Sequence, residues 1–374
     1  MKILELTNFT VGGCGVGARV LEESKRLSKN HNVMIFSSNH VKGSNEIAKR
    51  EEVIAKIKII RFPVVKLGGE SFMFWLNKEA EKEALKFKPD VIIAHSYRHI
   101  HTIKALKLKN KLKSRVFLVT HAPFIEKNIT RDFLSKLSVN FYDKLIAPST
   151  LNKFDKIIAI TKWEIPYLLR LGIKKEKIAY IPNGIPEEFF NQKKSKEEKK
   201  ILFLGRIAPI KNLETLIKAI SLIKNKKIKL EIVGPAEEQY LVKLKFLINK
   251  LNLAGRVLIS KPIYDIKEKA KKIDSAKIFV LPSKTEAMPQ SLIEAMAREK
   301  IVIASNNRGT KEIIQDGKNG YLFDVGNERE LAQKIEKVLA LKKSEINKIK
   351  KQAKKSVEQF SWDKVIKKLE KLMK

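Results

Sequence analysis

Ile201-Leu202-Phe203-Leu204-Gly205-Arg206-Ile207-Ala208-Pro209-Ile210-Lys211-Asn212 reads as a buried strand, a tight turn and the entry to a helix. Four apolar residues in a row, with no polar alternation, suit a strand covered on both faces, as parallel sheets require. Beyond the turn, Leu213, Leu216, Ile217, Ile220 and Ile223 recur at helical spacing, which predicts a helix over 212–224 capped by Asn212. The same alternation continues through strand-like runs at 230–233, 257–259, 278–281 and 301–304. It also precedes the quoted stretch, at 3–6, 33–36, 58–61, 91–94, 116–119 and 157–160. Two parallel sheets in succession are expected, an α/β architecture of two Rossmann-like domains facing a cleft.

Between the two series lies Ile181-Pro182-Asn183-Gly184-Ile185-Pro186, dense in turn formers, followed by the charged Gln192 to Lys200. The expected division is therefore 1–183 and 184–357. At 374 residues the chain is long enough for two cores, and a hydrophobic share of 44% supplies them. A single cysteine, Cys14, excludes an intrachain disulfide and fits a reducing, cytoplasmic setting. No apolar run is long enough to span a bilayer, so any membrane contact is expected to be peripheral.

A formal net charge of +36 is compatible with an anionic membrane surface, a phosphorylated substrate or a nucleic acid. The alternative reading of function is thus a basic nucleic-acid-binding protein on a two-domain α/β scaffold. It requires base-stacking aromatics along a basic groove. No such motif is found, aromatics are 7% of the chain, and much of the excess charge is lysine spread along helical stretches such as Lys350, Lys351, Lys354 and Lys355. Two segments mix aromatic with basic residues, Phe72 to Leu76 and Phe133 to Leu145; packing in the core is the expected use, contact with a lipid surface or lipid-linked acceptor the other.

Three stretches carry chemistry. The first is the turn Gly205-Arg206 to Lys211, where a guanidinium fork and a compact ammonium stand at the end of a strand and can neutralise a diphosphate leaving group. The second is Glu286 to Glu294, two carboxylates eight positions apart after strand 278–281. Pro289 suits a first helical turn, so Glu286 falls in the loop and Glu294 inside the helix, with backbone N–H groups near 287–291 turned toward the cleft. Each carboxylate can accept hydrogen bonds from sugar or ribose hydroxyls. The third is Thr120-His121-Ala122-Pro123 after strand 116–119, where a neutral imidazole can donate to a hydroxyl. His95, His99 and His101 have no cysteine or acidic partner at matching spacing, and no metal site is expected. Gly12-Gly13-Cys14-Gly15-Val16-Gly17 lacks the dinucleotide spacing G-x-G-x-x-G, and the second strand ends in Ser37-Ser38 rather than an acidic residue, which argues against a dehydrogenase.

These marks, in this order, resemble glycosyltransferase family 4, retaining enzymes of the GT-B fold. The Gly205-Arg206 to Lys211 turn, the Glu286 to Glu294 pair and the Pro182-Asn183-Gly184-Ile185 hinge carry the resemblance. It extends to the Gly12-Gly13 loop and to Phe360-Ser361-Trp362-Asp363, which looks like the start of the family's last helix, crossing from 358 to 374 back to the first domain. The resemblance implies a metal-independent hexosyltransferase, with the acceptor on the first domain and a nucleoside-diphosphate sugar on the second. Arg206 and Lys211, with Gly12 and Gly13, would hold the donor diphosphate. Glu294 would take the ribose, Glu286, Ala287 and Met288 the transferred sugar, and His121 and Glu286 would stand at the reacting centre. Ala287 stands where many relatives have glycine. No Asp-x-Asp triplet occurs, and no cofactor beyond the donor substrate is expected. The acceptor would be a glycan, a lipid-linked species or a small molecule. An epimerase or phosphorylase of similar architecture is the further enzymatic alternative.

Overall fold

The computed structural model describes residues 1–12, 14–67, 69–123, 137, 139–191, 197–198 and 200–374. The chain divides into two units: Met1–Asn183 together with Val365–Lys374, and Gly184–Lys364.

In the first unit the strands are β1 (Lys2–Leu6), β2 (Asn32–Ser38), β3 (Glu51–Ile54), β4 (Ile57–Phe62), β5 (Val65–Lys66), β6 (Met73–Phe74), β7 (Val91–His95), β8 (Arg115–Val119), β9 (Lys156–Ala159) and β10 (Ile178–Tyr180). Eight of them form one sheet in the order β10-β9-β8-β7-β1-β2-β4-β3. Every pairing is parallel except that of β3 with β4. β1 beyond Lys2, β7 and the body of β8 are buried, as their largely apolar runs require, with Glu5 and His95 the buried polar exceptions. The helix Trp362–Met373 supplies Val365 and Leu369, both fully buried. Arg115 ties its end down, donating to the carbonyls of Met373 at 2.7 Å and Leu372 at 3.1 Å.

In the second unit β11 (Lys200–Leu204), β12 (Lys229–Val233), β13 (Val257–Ser260), β14 (Ile278–Leu281), β15 (Ile301–Ser305) and β16 (Tyr321–Phe323) form a wholly parallel sheet. Its order, β13-β12-β11-β14-β15-β16, runs outward in both directions from β11 and β14, the order of a doubly wound nucleotide-binding sheet.

The predicted helix beyond the quoted turn spans Leu213–Leu222, and its stripe Leu213, Leu216, Ile217, Ile220 and Ile223 is fully buried. Asn212 does not cap it through its side chain. It sits in the left-handed region at φ 51°, the turn being closed by a short 3-10 segment, Pro209–Lys211. Of the aromatic stretch 72–76, Met73, Trp75 and Leu76 are core residues while Phe72 is exposed. In the second stretch Phe141 and Leu145 are exposed; residues 133–136 and 138 lie outside those described, as do 192–196 and 199 of the expected hinge. Among the described residues no helix is long and apolar enough to cross a membrane.

Candidate active site

Where strand order reverses in an open parallel sheet, the loops leaving two neighbouring strands turn to opposite faces and open a crevice. In the second unit that point lies between β11 and β14, whose residues Ile201 and Ile278 are register partners. The loop leaving β11 carries Arg206 and Lys211, and the loop leaving β14 carries Glu286. They meet: Lys211 Nζ stands 2.6 Å from Glu286 Oε1, which also accepts from Ser283 Oγ at 2.6 Å. Ser283 is itself buried. The short helix Arg308–Lys311 after β15 closes the floor, because Gly309 lies so close under this turn that a Cβ there would stand 2.5 Å from the carbonyl oxygen of Glu286.

Glu294 sits on the helix Gln290–Ala297, buried, with Lys269 Nζ of the helix Ile266–Ser275 at 2.6 Å from its Oε2. Pro289 stands directly before that helix rather than in its first turn. Ala287 and Met288 are half-buried in the loop. Arg206 is exposed and pairs with Glu237 at 3.2 Å. Arg206, Lys211, Glu286 and Glu294 thus all belong to elements leaving the carboxyl ends of the sheet. The ion pair of the first turn is with the loop carboxylate, Glu286.

The first unit has the same reversal between β1 and β7, and the loops after β1, β7 and β8 surround it. A recess of about 180 Å³ opens there, lined by residues that include Asn8, Lys42, Glu70, Tyr97, His99 and His121. His121 and Ala122 both adopt left-handed backbone, φ 60° and 51°, which non-glycine residues hold only when their surroundings impose it. Glu164 imposes it. Fully buried, its carboxylate accepts from Thr120 Oγ1 at 2.5 Å and Ala122 N at 2.8 Å, and from Ile160 N, Thr161 N and Thr161 Oγ1 at 2.8 to 3.0 Å. Gly12 approaches the main chain of Lys42 at φ +87°, leaving no space for a side chain, so its glycine is demanded by this turn. Gly13 lies outside the described residues.

Beneath His121 runs a buried chain. His121 Nε2 stands 3.0 Å from His95 Nδ1, and His95 Nε2 stands 2.6 Å from Glu5 Oε2. Glu23 lies beside Glu5 and pairs with Arg19 at 3.1 Å; Arg19 also donates to Asn183 Oδ1 at 2.7 Å. Burial pushes the Glu5 carboxyl up to about 8, against the lowering pull of Arg19, and raises Glu23 as well. Burial likewise lowers His95 to about 3 and His99 to about 4, and holds His101 and His121 well below the usual imidazole range. All four rings are neutral at neutral pH. Glu5, Glu23 and His95 bring ligand atoms within 4.8 Å of one another. Arg19 already places a positive charge beside the two carboxyls.

The histidines singled out in the sequence do not gather on a common point. His95 joins Glu5 and His121, His99 meets Asn8 at 2.8 Å, and His101 donates to the carbonyl of His95 at 2.8 Å. Sequence reasoning missed Glu5, Glu23, Glu164, Lys269 and Gly309. Glu5 carried a signal: a charge inside Ile3-Leu4-Glu5-Leu6, a strand buried on both faces, needs a partner.

The family model for Glycosyl transferases group 1 matches residues 184–356, and that for Glycosyltransferase Family 4 matches 13–189. The chain is 27% identical to an uncharacterized glycosyltransferase of Methanocaldococcus jannaschii, over 96% of this chain and 94% of that protein. It is also 27% identical, over 88% and 87% of the two chains, to a Campylobacter jejuni α-1,4-N-acetyl-D-galactosaminyltransferase acting on a GalNAc-GalNAc-diNAcBac-PP-undecaprenol. HepE of Anabaena, solved in complex with UDP and glucose, superposes with a TM-score of 0.74 over 100% of this chain and 99% of its own, at 18% identity. With one family model on each unit and relatives along nearly its whole length, the chain belongs to the family 4, group 1 glycosyltransferases of the GT-B fold.

Proposed function

We propose that the protein transfers a sugar from a nucleoside-diphosphate sugar to an acceptor hydroxyl, with retention at the anomeric carbon and without a metal ion. The observation that carries this reading is the meeting of Lys211, Glu286 and Ser283 at the β11/β14 reversal, where ligands of open parallel sheets bind. Lys211 and Arg206 receive the diphosphate, and Gly12 and Gly13 keep the diphosphate-binding role that the family resemblance implies. Glu294 takes the ribose hydroxyls. Glu286 and the backbone of Ala287 and Met288 take the transferred sugar, and His121 contacts it near the reacting carbon. As the bond from the anomeric carbon to the phosphate oxygen breaks, the two cations stabilise the departing charge. The acceptor oxygen bonds to the same face of that carbon, and its proton passes to the departing phosphate. Arg206 and Lys211 supply the electrostatic work a divalent ion would otherwise do, and the sequence has no Asp-x-Asp triplet.

UDP-sugars are the donor class favoured by the likeness to HepE, and an undecaprenol-diphosphate-linked glycan the acceptor class favoured by the Campylobacter relative. An acceptor of that kind would bring the enzyme to a membrane surface. The test is thermal stabilisation by UDP, GDP, ADP and their sugars, repeated with Arg206→Ala and Glu294→Ala. Stabilisation by one nucleotide and its loss in both variants supports the reading; no stabilisation by any of them sinks it. Product configuration and activity in excess chelator test retention and metal independence.

A further inference from the structure

The strands of the second sheet are all parallel, so their amino ends share one edge, opposite the edge that the loops of Arg206, Lys211 and Glu286 leave. Strands of this length hold the two edges about 15 Å apart. At the far edge the entries of three neighbouring strands, β11, β12 and β13, line a cavity of about 540 Å³. Register sets a row of cations across them. Lys200 and Lys229 are partners, and Arg256 stands one residue before Val257, the partner of Leu230. Lys227, in the turn before β12, lines the same cavity.

The carboxylates of the cavity are already engaged. Glu231 is buried and meets Lys200 at 3.1 Å, Lys272 at 2.8 Å and Ser260 Oγ at 2.9 Å. Glu198 pairs with Lys200 at 3.2 Å. Lys227, Lys229 and Arg256 have no acidic partner among the described residues. Arg256 is the informative member. Its Nε reaches the Ile228 carbonyl at 3.3 Å, while Nη2 is buried with no acceptor. Burial lowers the guanidinium from its usual range, and no neighbouring carboxylate acts to raise it. Arginine nevertheless stays charged in proteins, and buried polar groups nearly always find a partner, so an anionic group entering here meets a charge that the described residues leave unmatched. Gly255 keeps one wall open: nothing lies within 4 Å of where its Cβ would stand, and its φ is not positive.

We infer that this cavity binds the phosphate group of a small organic phosphate, at a site separate from the donor site on the opposite edge of the same sheet. Lys227 and Lys229 supply compact charges, and Arg256 a fork of donors suited to phosphate oxygens. The cavity exceeds what a bare phosphate fills, and Ala254 and Leu258, the latter 59% exposed, line it with apolar surface that suits a carbon skeleton. A recess of this volume also favours a small molecule over a nucleic acid or a bilayer, which lie across broad surfaces. The inference does not depend on sugar transfer as the function.

The test is calorimetric titration of the full chain, in a buffer free of phosphate and sulfate, with inorganic phosphate, glycerol phosphate, phosphoenolpyruvate and AMP. It is repeated with Lys227→Ala, Lys229→Ala, Arg256→Gln and Gly255→Glu, the last of which sets a carboxylate in the open space. At least one organic phosphate is expected to bind more tightly than inorganic phosphate. Each of the first three substitutions should weaken it by about tenfold, the usual effect of losing one charge-assisted hydrogen bond. Gly255→Glu should abolish it, while Lys211→Ala, at the donor site, and a Lys351→Ala/Lys355→Ala control, both exposed lysines, should leave it unchanged. Lys227 and Lys229 are exposed, so their variants carry the test even where Arg256→Gln unfolds. Binding of none of the probes, or of inorganic phosphate alone, overturns the inference. So does equal weakening in the control, which means attraction to general positive charge, or loss with Lys211→Ala, which means the donor site. Phosphatidylglycerol vesicles or single-stranded RNA that lose affinity in the cavity variants while no small phosphate binds would assign the cations to a macromolecule and overturn it as well.

Discussion

Lys211 Nζ and Glu286 Oε1 are 2.6 Å apart, though 75 positions separate the residues, because the sheet reverses its order between the strands that deliver them. Each side chain remains partly open to solvent, so the pair adds little to stability and its value lies in placing a cation beside a carboxylate. Lys211→Ala is expected to lower kcat/KM by about 10²–10³-fold, the usual effect of removing one donor to developing charge. The unfolding midpoint should barely move. Steady-state kinetics with the nucleotide sugar that binds is the check, and an enzyme within a few-fold of the parent would remove Lys211 from the reaction.

Gly309 offers a subtler perturbation. A methyl group there would press on the Glu286 and Ala287 carbonyls, so Gly309→Ala must shift the turn that presents Glu286. The expected outcome is a loss of about 1–3 kcal/mol in stability, typical of overpacking, with a larger loss of transfer than of nucleotide binding. Calorimetry of nucleotide binding beside kinetics separates the two effects.

Glu164 accepts from five donors in the first unit, of which only Thr120 Oγ1 has another acceptor among the described residues, the Ile158 carbonyl. Glu164→Ala leaves buried N–H and O–H groups without partners, a loss expected to exceed about 3 kcal/mol. It also frees His121 and Ala122 from their left-handed backbone. Glu164→Gln, which keeps an acceptor oxygen, should lose less. Urea unfolding of the two variants ranks them, and equal stability would deny Glu164 this role.

The raised Glu5 carboxyl makes stability depend on pH. Its folded value of about 8 lies above the ordinary 4.5, so between these limits the folded protein holds a proton that the unfolded chain has released. The stabilisation is complete below the ordinary value and lost as pH rises toward about 8. Below about 6.5 the lowered histidines act in the opposite sense, because the unfolded chain then takes up protons that the folded rings refuse. From about pH 6.5 to 8 the histidines no longer oppose it and stability should fall as pH rises, Glu5 contributing up to about 1.4 kcal/mol per pH unit and the raised Glu23 and Glu164 acting in the same sense. Glu5→Gln should flatten that slope, and a slope unchanged in the variant would assign it to another group.

Much of the second unit was legible because most of its strands hold runs of apolar residues and its helix 213–222 shows a full stripe. Arg206, Lys211, Glu286 and Glu294 could be read from short spacings, since each lies within a few residues of a strand end or helix start. Asn212 was misread because a left-handed turn residue and a side-chain cap look alike in sequence. The buried chain from Glu23 to His121 was not legible. It joins residues from β1, the helix Gly15–Leu27, β7 and the loop after β8, and only the sheet order brings them together. Lys269 and Gly309 were hidden for the same reason: nothing in their own neighbourhoods signals what they press against.

The helix Trp362–Met373 finishes the first unit with residues made after all of the second. On the ribosome, residues 1–183 can form their sheet early, but the surface that receives Val365 and Leu369, and the Arg115 guanidinium that holds Met373, must wait through the synthesis of some 180 further residues. The nascent first unit is thus an intermediate with an uncovered apolar strip. A fragment cut at the 183/184 boundary inherits that strip permanently. Exchanging first units between relatives therefore requires moving two separate pieces of chain together, and a chimera that carries only the longer piece should be prone to aggregate.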